Sequence, residues 1–196
     1  IDLLAENLSA RDRDLELVLA VSSRDGVRPG DDASALRVIL ENSVAHLGCA
    51  LAAVLVPEKS LILFRMAQEN PADGRLLAQT HRHLLSLAQV RRDPLIMNRL
   101  AQNSALGALP YKILSCPVMH GAQSVLGILA LFKPPASPDF DLRQVRLIEL
   151  LARRDIREPA NWSRRFKNHQ EKLKSGDVYQ VAEAVRNLSL RDQAKG

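Results

Sequence analysis

The 196-residue sequence is poor in aromatics, with one Trp, two Tyr and four Phe, and it holds only two cysteines. Two cysteines cannot make a disulfide framework, and a chain of this length can bury enough apolar surface to do without one. Cys49 and Cys116 both sit in apolar runs, so both are expected buried and reduced, as in a cytoplasmic protein. No apolar run reaches the roughly 20 residues of a spanning helix. The N-terminus also lacks the basic-then-apolar order of a secretion signal, so neither a membrane span nor a signal peptide is expected. The first residue is Ile1 rather than Met, which leads us to expect sequence upstream. Motifs for catalysis are missing too: there is no Gly-x-Ser-x-Gly turn and no Gly-rich phosphate loop. His81 and His83 stand two apart on an expected helix and so point about 200° apart. Cys116 and His120 straddle a strand and its turn, and neither pair suits tetrahedral zinc. The expectation is a protein that is not an enzyme and carries no metal or other cofactor.

An apolar fraction of 46% with 25% charged residues is that of a soluble globular protein. The net charge of +5 is unevenly spread. Residues 1–153 carry 17 Lys and Arg against 16 Asp and Glu, whereas residues 154–196 carry 10 against 6. Most of the excess lies in the last quarter of the chain, which points to an anionic partner for the tail.

Residues 2–22 read as a helix with Leu4, Leu8, Leu15, Val18 and Ser22 near heptad spacing, interrupted by Arg11. A Gly- and Pro-containing loop follows over 24–30, and Asp31 or Asp32 caps a second helix that presents Leu36, Ile39, Leu40, Val44 and Leu47. Gly48 ends it. Strands over 50–56 and 61–66 form a hairpin around a turn at 57–60. A helix over about 73–91 turns Leu76, Leu77, Thr80, Leu84 and Leu87 inward and closes before Pro94. Residues 95–110 are mixed, with Asn98, Asn103, Gly107 and Pro110 marking loop, and are the least readable stretch. Strands over 112–119 and 124–132 are joined by a turn at 120–123, and three prolines between 134 and 138 break the sheet. Asp139 or Asp141 then caps a helix carrying Leu142, Val145, Ile148 and Ala152. This order predicts an α+β fold, an antiparallel sheet flanked by helices.

The run Ile113-Leu114-Ser115-Cys116-Pro117-Val118, then Gly121, then Val125-Leu126-Gly127-Ile128-Leu129-Ala130-Leu131, with Phe140 and the helix ending at Ala152, resembles a GAF domain. The resemblance covers residues 33–153, with residues 1–32 as an N-terminal helix and loop. It implies a pocket between the sheet and its helices for a small-molecule ligand, or a homodimer. The cyclic-nucleotide residue set, the Cys-His pair for bilin attachment and the extra cysteines of redox members are all missing. Arg65, Arg99 and Tyr111 are the candidates to line a pocket for an anionic ligand, although Arg is most often solvated surface.

In the tail, over 154–196, Pro159 precedes a helix for which Asn161 is the N-cap candidate. Trp162, Phe166, His169 and Leu173 follow at i, i+4, i+7 and i+11, an apolar face, while Arg164, Lys167 and Lys174 fall elsewhere and Arg165 flanks the Trp ring. Gly176 ends that helix, and Asp177 caps another bearing Val178, Val181, Ala182, Val185 and Leu188. On composition alone a single Trp is a core anchor. The run Asn161-Trp162-Ser163-Arg164-Arg165-Phe166-Lys167, with Ser175-Gly176-Asp177-Val178, Val181-Ala182-Glu183 and Arg191-Asp192-Gln193, resembles the helical DNA-binding domain of the CarD/CdnL family, regulators that bind RNA polymerase.

That resemblance, over 158–196, implies Trp162 as a wedge in the minor groove at the edge of the promoter bubble. Arg164, Arg165 and Lys167 would lie on the DNA backbone or groove wall, and Phe166 in the core. It implies promoter DNA and RNA polymerase as partners. The family's β-rich polymerase-binding module is replaced here by the GAF-like part, further helices are expected beyond Gly196, and no Gly/Ser linker marks the join near 153–157. These features read as an incomplete DNA-binding segment in a stitched, chimeric chain.

Two functions stay open: a non-catalytic sensing or dimerising module with a CarD-like DNA-binding segment, or a CarD-type regulator that stabilises polymerase–promoter open complexes. A redox enzyme using Cys49 or Cys116 is a third reading.

Overall fold

The structure is a computed structural model and describes residues 32–68, 71–99, 110–120, 124–152 and 161–174, with Gln180. The helix expected over 2–22, the loop after it and most of the helix expected after Asp177 lie outside the described residues. Helix α1, Asp32–Leu47, ends at Gly48, whose φ of +64° is the left-handed conformation that glycine adopts without strain. Strand β1, Leu51–Val56, passes through a 3₁₀ turn at Pro57–Lys59 to β2, Leu61–Met66. Helix α2, Pro71–Arg91, is followed by a short strand β3, Leu95–Met97. Then come β4, Lys112–His120, β5, Ser124–Lys133, α3, Leu142–Ala152, and α4, Trp162–Lys174.

The strands form one antiparallel sheet in the order β2-β1-β5-β4-β3. The α+β fold expected from the element order is the one observed. Strands β1 and β5 lie inside the sheet and are covered on both faces, which is why they read as unbroken apolar runs rather than alternating ones. On one face Ala52, Val54, Leu114, Cys116, Leu129 and Leu131 meet Leu40 and Leu47 of α1 and Leu147 and Ile148 of α3. On the other, Leu51, Ala53, Leu55, Ile113, Ile128 and Phe132 meet Leu77, Leu84 and Ala88 of α2. Each such buried Leu or Phe contributes about 1.5–3 kcal/mol of transfer free energy.

Three expectations need correcting. Residues 95–97 are a strand, not loop, pairing with Ile113, Leu114 and Ser115 of β4. The buried stripe of α2 includes Leu77, Thr80, Leu84 and Ala88, so Leu87, expected inward, is exposed on the flank. Leu142 also points outward, because the inward stripe of α3 runs through Val145 and Ile148. Of the two candidate caps for α3, Asp141 is the one used. Its Oδ1 accepts from Gln144 N at 2.8 Å and Gln144 Oε1 accepts from Asp141 N at 3.4 Å, a reciprocal capping box. Among the described residues, no helix is long and apolar enough to cross a membrane.

Candidate nucleic-acid interface

Helix α4 starts as its sequence dictates. Asn161 Oδ1 accepts from Ser163 N at 2.9 Å and from Arg164 N at 3.3 Å, satisfying two N–H groups that the first turn leaves without intrahelical partners. Lys172 and Lys174 sit in the last turn, where positive charge suits the helix dipole. At about 100° per residue, positions 164, 167, 171 and 174 share one stripe, and positions 162, 166, 169 and 173 share the other side. Arg164, Lys167 and Lys174 are exposed. Lys167 Nζ lies 3.9 Å from Glu171 Oε1, an exposed i,i+4 pair worth little in water, so the lysine remains available to a phosphate.

The four residues expected on DNA therefore do not share one helix face. Arg164 and Lys167 stand about 60° apart around the helix, whereas position 162 lies on the opposite side, in the first turn. The side chains of Trp162 and Arg165 lie outside the described residues. Phe166, expected in the core, is instead 54% exposed.

The three candidates for a ligand pocket are not brought together. Arg65 is exposed on β2 at one edge of the sheet. Arg99 follows β3 at the other edge, four strand spacings or about 19 Å away. Tyr111 stands on the α2 side with its ring edge-on to Phe132, centroids 6.3 Å apart at 83°, a packing role. Arg65 lines an open groove of about 300 Å³ bounded by Arg37, Leu40 and Glu41 of α1 and Ile62, Leu63, Phe64 and Arg65 of β2.

One polar cluster escaped the sequence reading. Lys112 and Lys133 are direct cross-strand partners, a like-charge pairing that needs compensation. Lys112 Nζ lies 2.6 Å from Asp139 Oδ1 and also donates to the carbonyl of Ser137. Lys133 is 3% exposed, donates to Gln144 Oε1 at 3.1 Å and holds its ammonium 4.5 Å from the Phe140 ring centroid. Asn98 closes the cluster, donating to Phe140 O at 2.9 Å and accepting from Phe140 N at 2.8 Å. Burial pulls the Lys133 pKa below the usual lysine value, with Lys112 adding to the shift and Asp141 and Asp139 opposing it. Through these bonds the cluster acts as a clasp that holds the 134–141 connection onto the sheet. A lysine closing an apolar strand was the one signal available.

Both cysteine thiols are buried and free. Burial pushes Cys49 up to about 12 and moves Cys116 up as well, with Glu149 adding to the second shift. Neither supplies a thiolate near neutral pH. Among the described residues, no three His, Cys, Asp or Glu side chains converge as metal ligands.

The fold is similar to solved GAF domains. One, from a phosphoenolpyruvate-protein phosphotransferase of Coxiella burnetii, superposes with a TM-score of 0.54 at 16% identity, covering 72% of this chain and 89% of that one. The GAF domain of the Acinetobacter phosphoenolpyruvate-protein phosphotransferase gives 0.51 at 17% identity, over 72% of this chain and 86% of that one. The GAF domain of a sensor histidine kinase described as putative, from Pseudomonas syringae pv. tomato, gives 0.50 at 15%, over 76% and 86%. At these identities the likeness is one of fold. Residues 146–196 match the family model described as CarD, C-terminal domain, a match that begins within α3 and runs through α4. The chain thus joins a domain of GAF fold to a segment that matches the CarD C-terminal domain family.

Proposed function

We propose that this is a non-catalytic transcription-regulatory chain whose tail holds DNA through α4, with the GAF-fold domain as its sensing or dimerising partner. The observation that carries the reading is α4 itself. A helix capped by Asn161 inside the CarD-matching segment presents Arg164 and Lys167 outward, two and five residues after Trp162. In this reading Arg164, Arg165 and Lys167 hold phosphates while Trp162 enters the minor groove and fills an opened base step, with RNA polymerase as the larger partner. The raised thiols of Cys49 and Cys116 support the non-catalytic part, since a redox role needs a reactive thiolate.

Fluorescence anisotropy on a labelled A·T-rich duplex carrying a short unpaired bubble tests this. Trp162→Ala should weaken binding by about 1–3 kcal/mol, the worth of one stacked base, with a smaller loss on duplex lacking the bubble. Affinity unchanged by the substitution would remove the wedge. A small-molecule thermal-shift screen together with sedimentation tests the GAF-fold half; if neither shows a ligand or a dimer, that half of the proposal falls.

A further inference from the structure

The groove between α1 and β2 runs along a sheet edge that no other described strand covers. Strand β2 is terminal in the sheet order. The bond from Ala67 N to Ala50 O, at 2.8 Å, fixes the parity of the ladder. It makes Arg65, Leu63 and Leu61 the residues that exchange backbone bonds with Ala52, Val54 and Val56 of β1. The N–H and C=O groups of Ile62, Phe64 and Met66 therefore aim away from the sheet. The side chains alternate as well. Leu63 and Arg65, opposite Val54 and Ala52, face the α1 side; Ile62 and Phe64, opposite Leu55 and Ala53, face the α2 side. Yet α2 packs on β1, β4 and β5, leaving Ile62 56% and Phe64 54% exposed. Natural sheets usually blunt such an edge.

We propose that this edge takes an added strand from a partner protein, an extended segment in which acidic residues alternate with β-branched apolar ones. Its backbone pairs antiparallel with the outward groups of Ile62 and Phe64. Its apolar side chains lie beside Ile62 and Phe64, completing the cross-strand pairs that α2 leaves open. Its acidic side chains enter the 300 Å³ groove, where Arg37 and Arg65 outnumber Glu41. Charge decides against a second copy, because β2 of another chain would bring the same surplus of arginine to an already cationic groove. The proposal stands on the GAF-fold domain alone and is independent of DNA binding by α4.

The probe is a fluorescein-labelled peptide of about nine residues alternating Val and Glu, titrated with the full chain and compared with a Val/Lys counterpart. The Val/Glu peptide should bind at least about ten-fold tighter. Phe64→Pro removes an outward N–H without touching a β1–β2 bond, a placement that edge strands tolerate, and should lower affinity by about ten-fold or more. Arg65→Glu, which leaves the ladder intact, should shift preference toward the Val/Lys peptide. Equal binding of the two peptides, or a preference that Arg65→Glu leaves alone, overturns the proposal. So does a sedimenting dimer that Phe64→Pro dissolves, since a second copy would then hold the edge.

Discussion

Lys133 shows how much one side chain depends on its surroundings. Its ammonium is buried in the last position of β5, where Gln144 Oε1, the Phe140 ring and two nearby aspartates offset part of the lost hydration. Burial is the largest influence on its pKa and lowers it below 10.5, so the folded state releases this proton before the unfolded state does. Between the lowered value and 10.5 the unfolded chain binds more protons, and stability must rise with pH. The cost of holding the charge is therefore fully present below that window and fades as pH climbs toward 10.5. Lys133→Met has no such proton. Urea unfolding of both proteins between pH 7.5 and 10.5 should show the wild type gaining on the variant as pH rises; parallel curves would mean that Lys133 is effectively hydrated. Asp139 has the opposite sign. Its hydrogen bond to Lys112 holds its carboxyl below the usual range, so that contribution is present above the ordinary carboxylate pKa and is lost on acidification.

At the level of elements, Gly127 sets how closely β1 and β5 approach. A Cβ built there would stand 2.0 Å from the Leu55 carbonyl oxygen and 3.1 Å from Val56 Cα, both backbone atoms with no rotamer to yield. Gly127→Ala should then force the strands apart and cost about 1–3 kcal/mol or more, read as a lower urea midpoint. Stability within a few tenths of a kcal/mol of wild type would show that the strands can shift. The strands that were legible in the sequence are those with the strongest constraint: β1, β4 and β5 are covered on both faces and so carry long apolar runs, bounded by Gly48, Pro57 and Pro134. Strand β3 was not legible, because three residues after Pro94 give no periodicity to detect and only pairing with β4 makes them a strand. The stripe of α2 came out one position off, at Leu87 rather than Ala88, since a 3.6-residue period leaves the stripe edge undecided until the sheet beneath is known. The caps at Asp141 and Asn161 were legible because they depend on local chemistry alone. The clasp of Asn98, Lys112, Lys133, Asp139 and Phe140 was not, since its members lie up to 42 residues apart along the chain.

For the molecule as a whole, the division of charge is the property that separates its two parts. Residues 1–153 are nearly balanced, while 154–196 carry most of the surplus. A polyanion should therefore be held by the tail, and the salt dependence of binding should count tail residues. Each phosphate neutralised contributes about −0.9 to the slope of log K against log salt, so three contacts from Arg164, Arg165 and Lys167 give a slope near −3. Lys167→Ala should reduce that slope by about one while weakening all DNA sequences alike. Glu171→Gln should strengthen binding slightly, because it removes the carboxylate that now sits 3.9 Å from Lys167 Nζ. Arg82→Ala, a cation exposed on α2 of the GAF-fold domain, should leave the slope as it is. If Arg82→Ala lowered the slope as much as Lys167→Ala, the DNA would be lying across the whole molecule as a diffuse counterion. The capped helix α4 would then have no special claim to it.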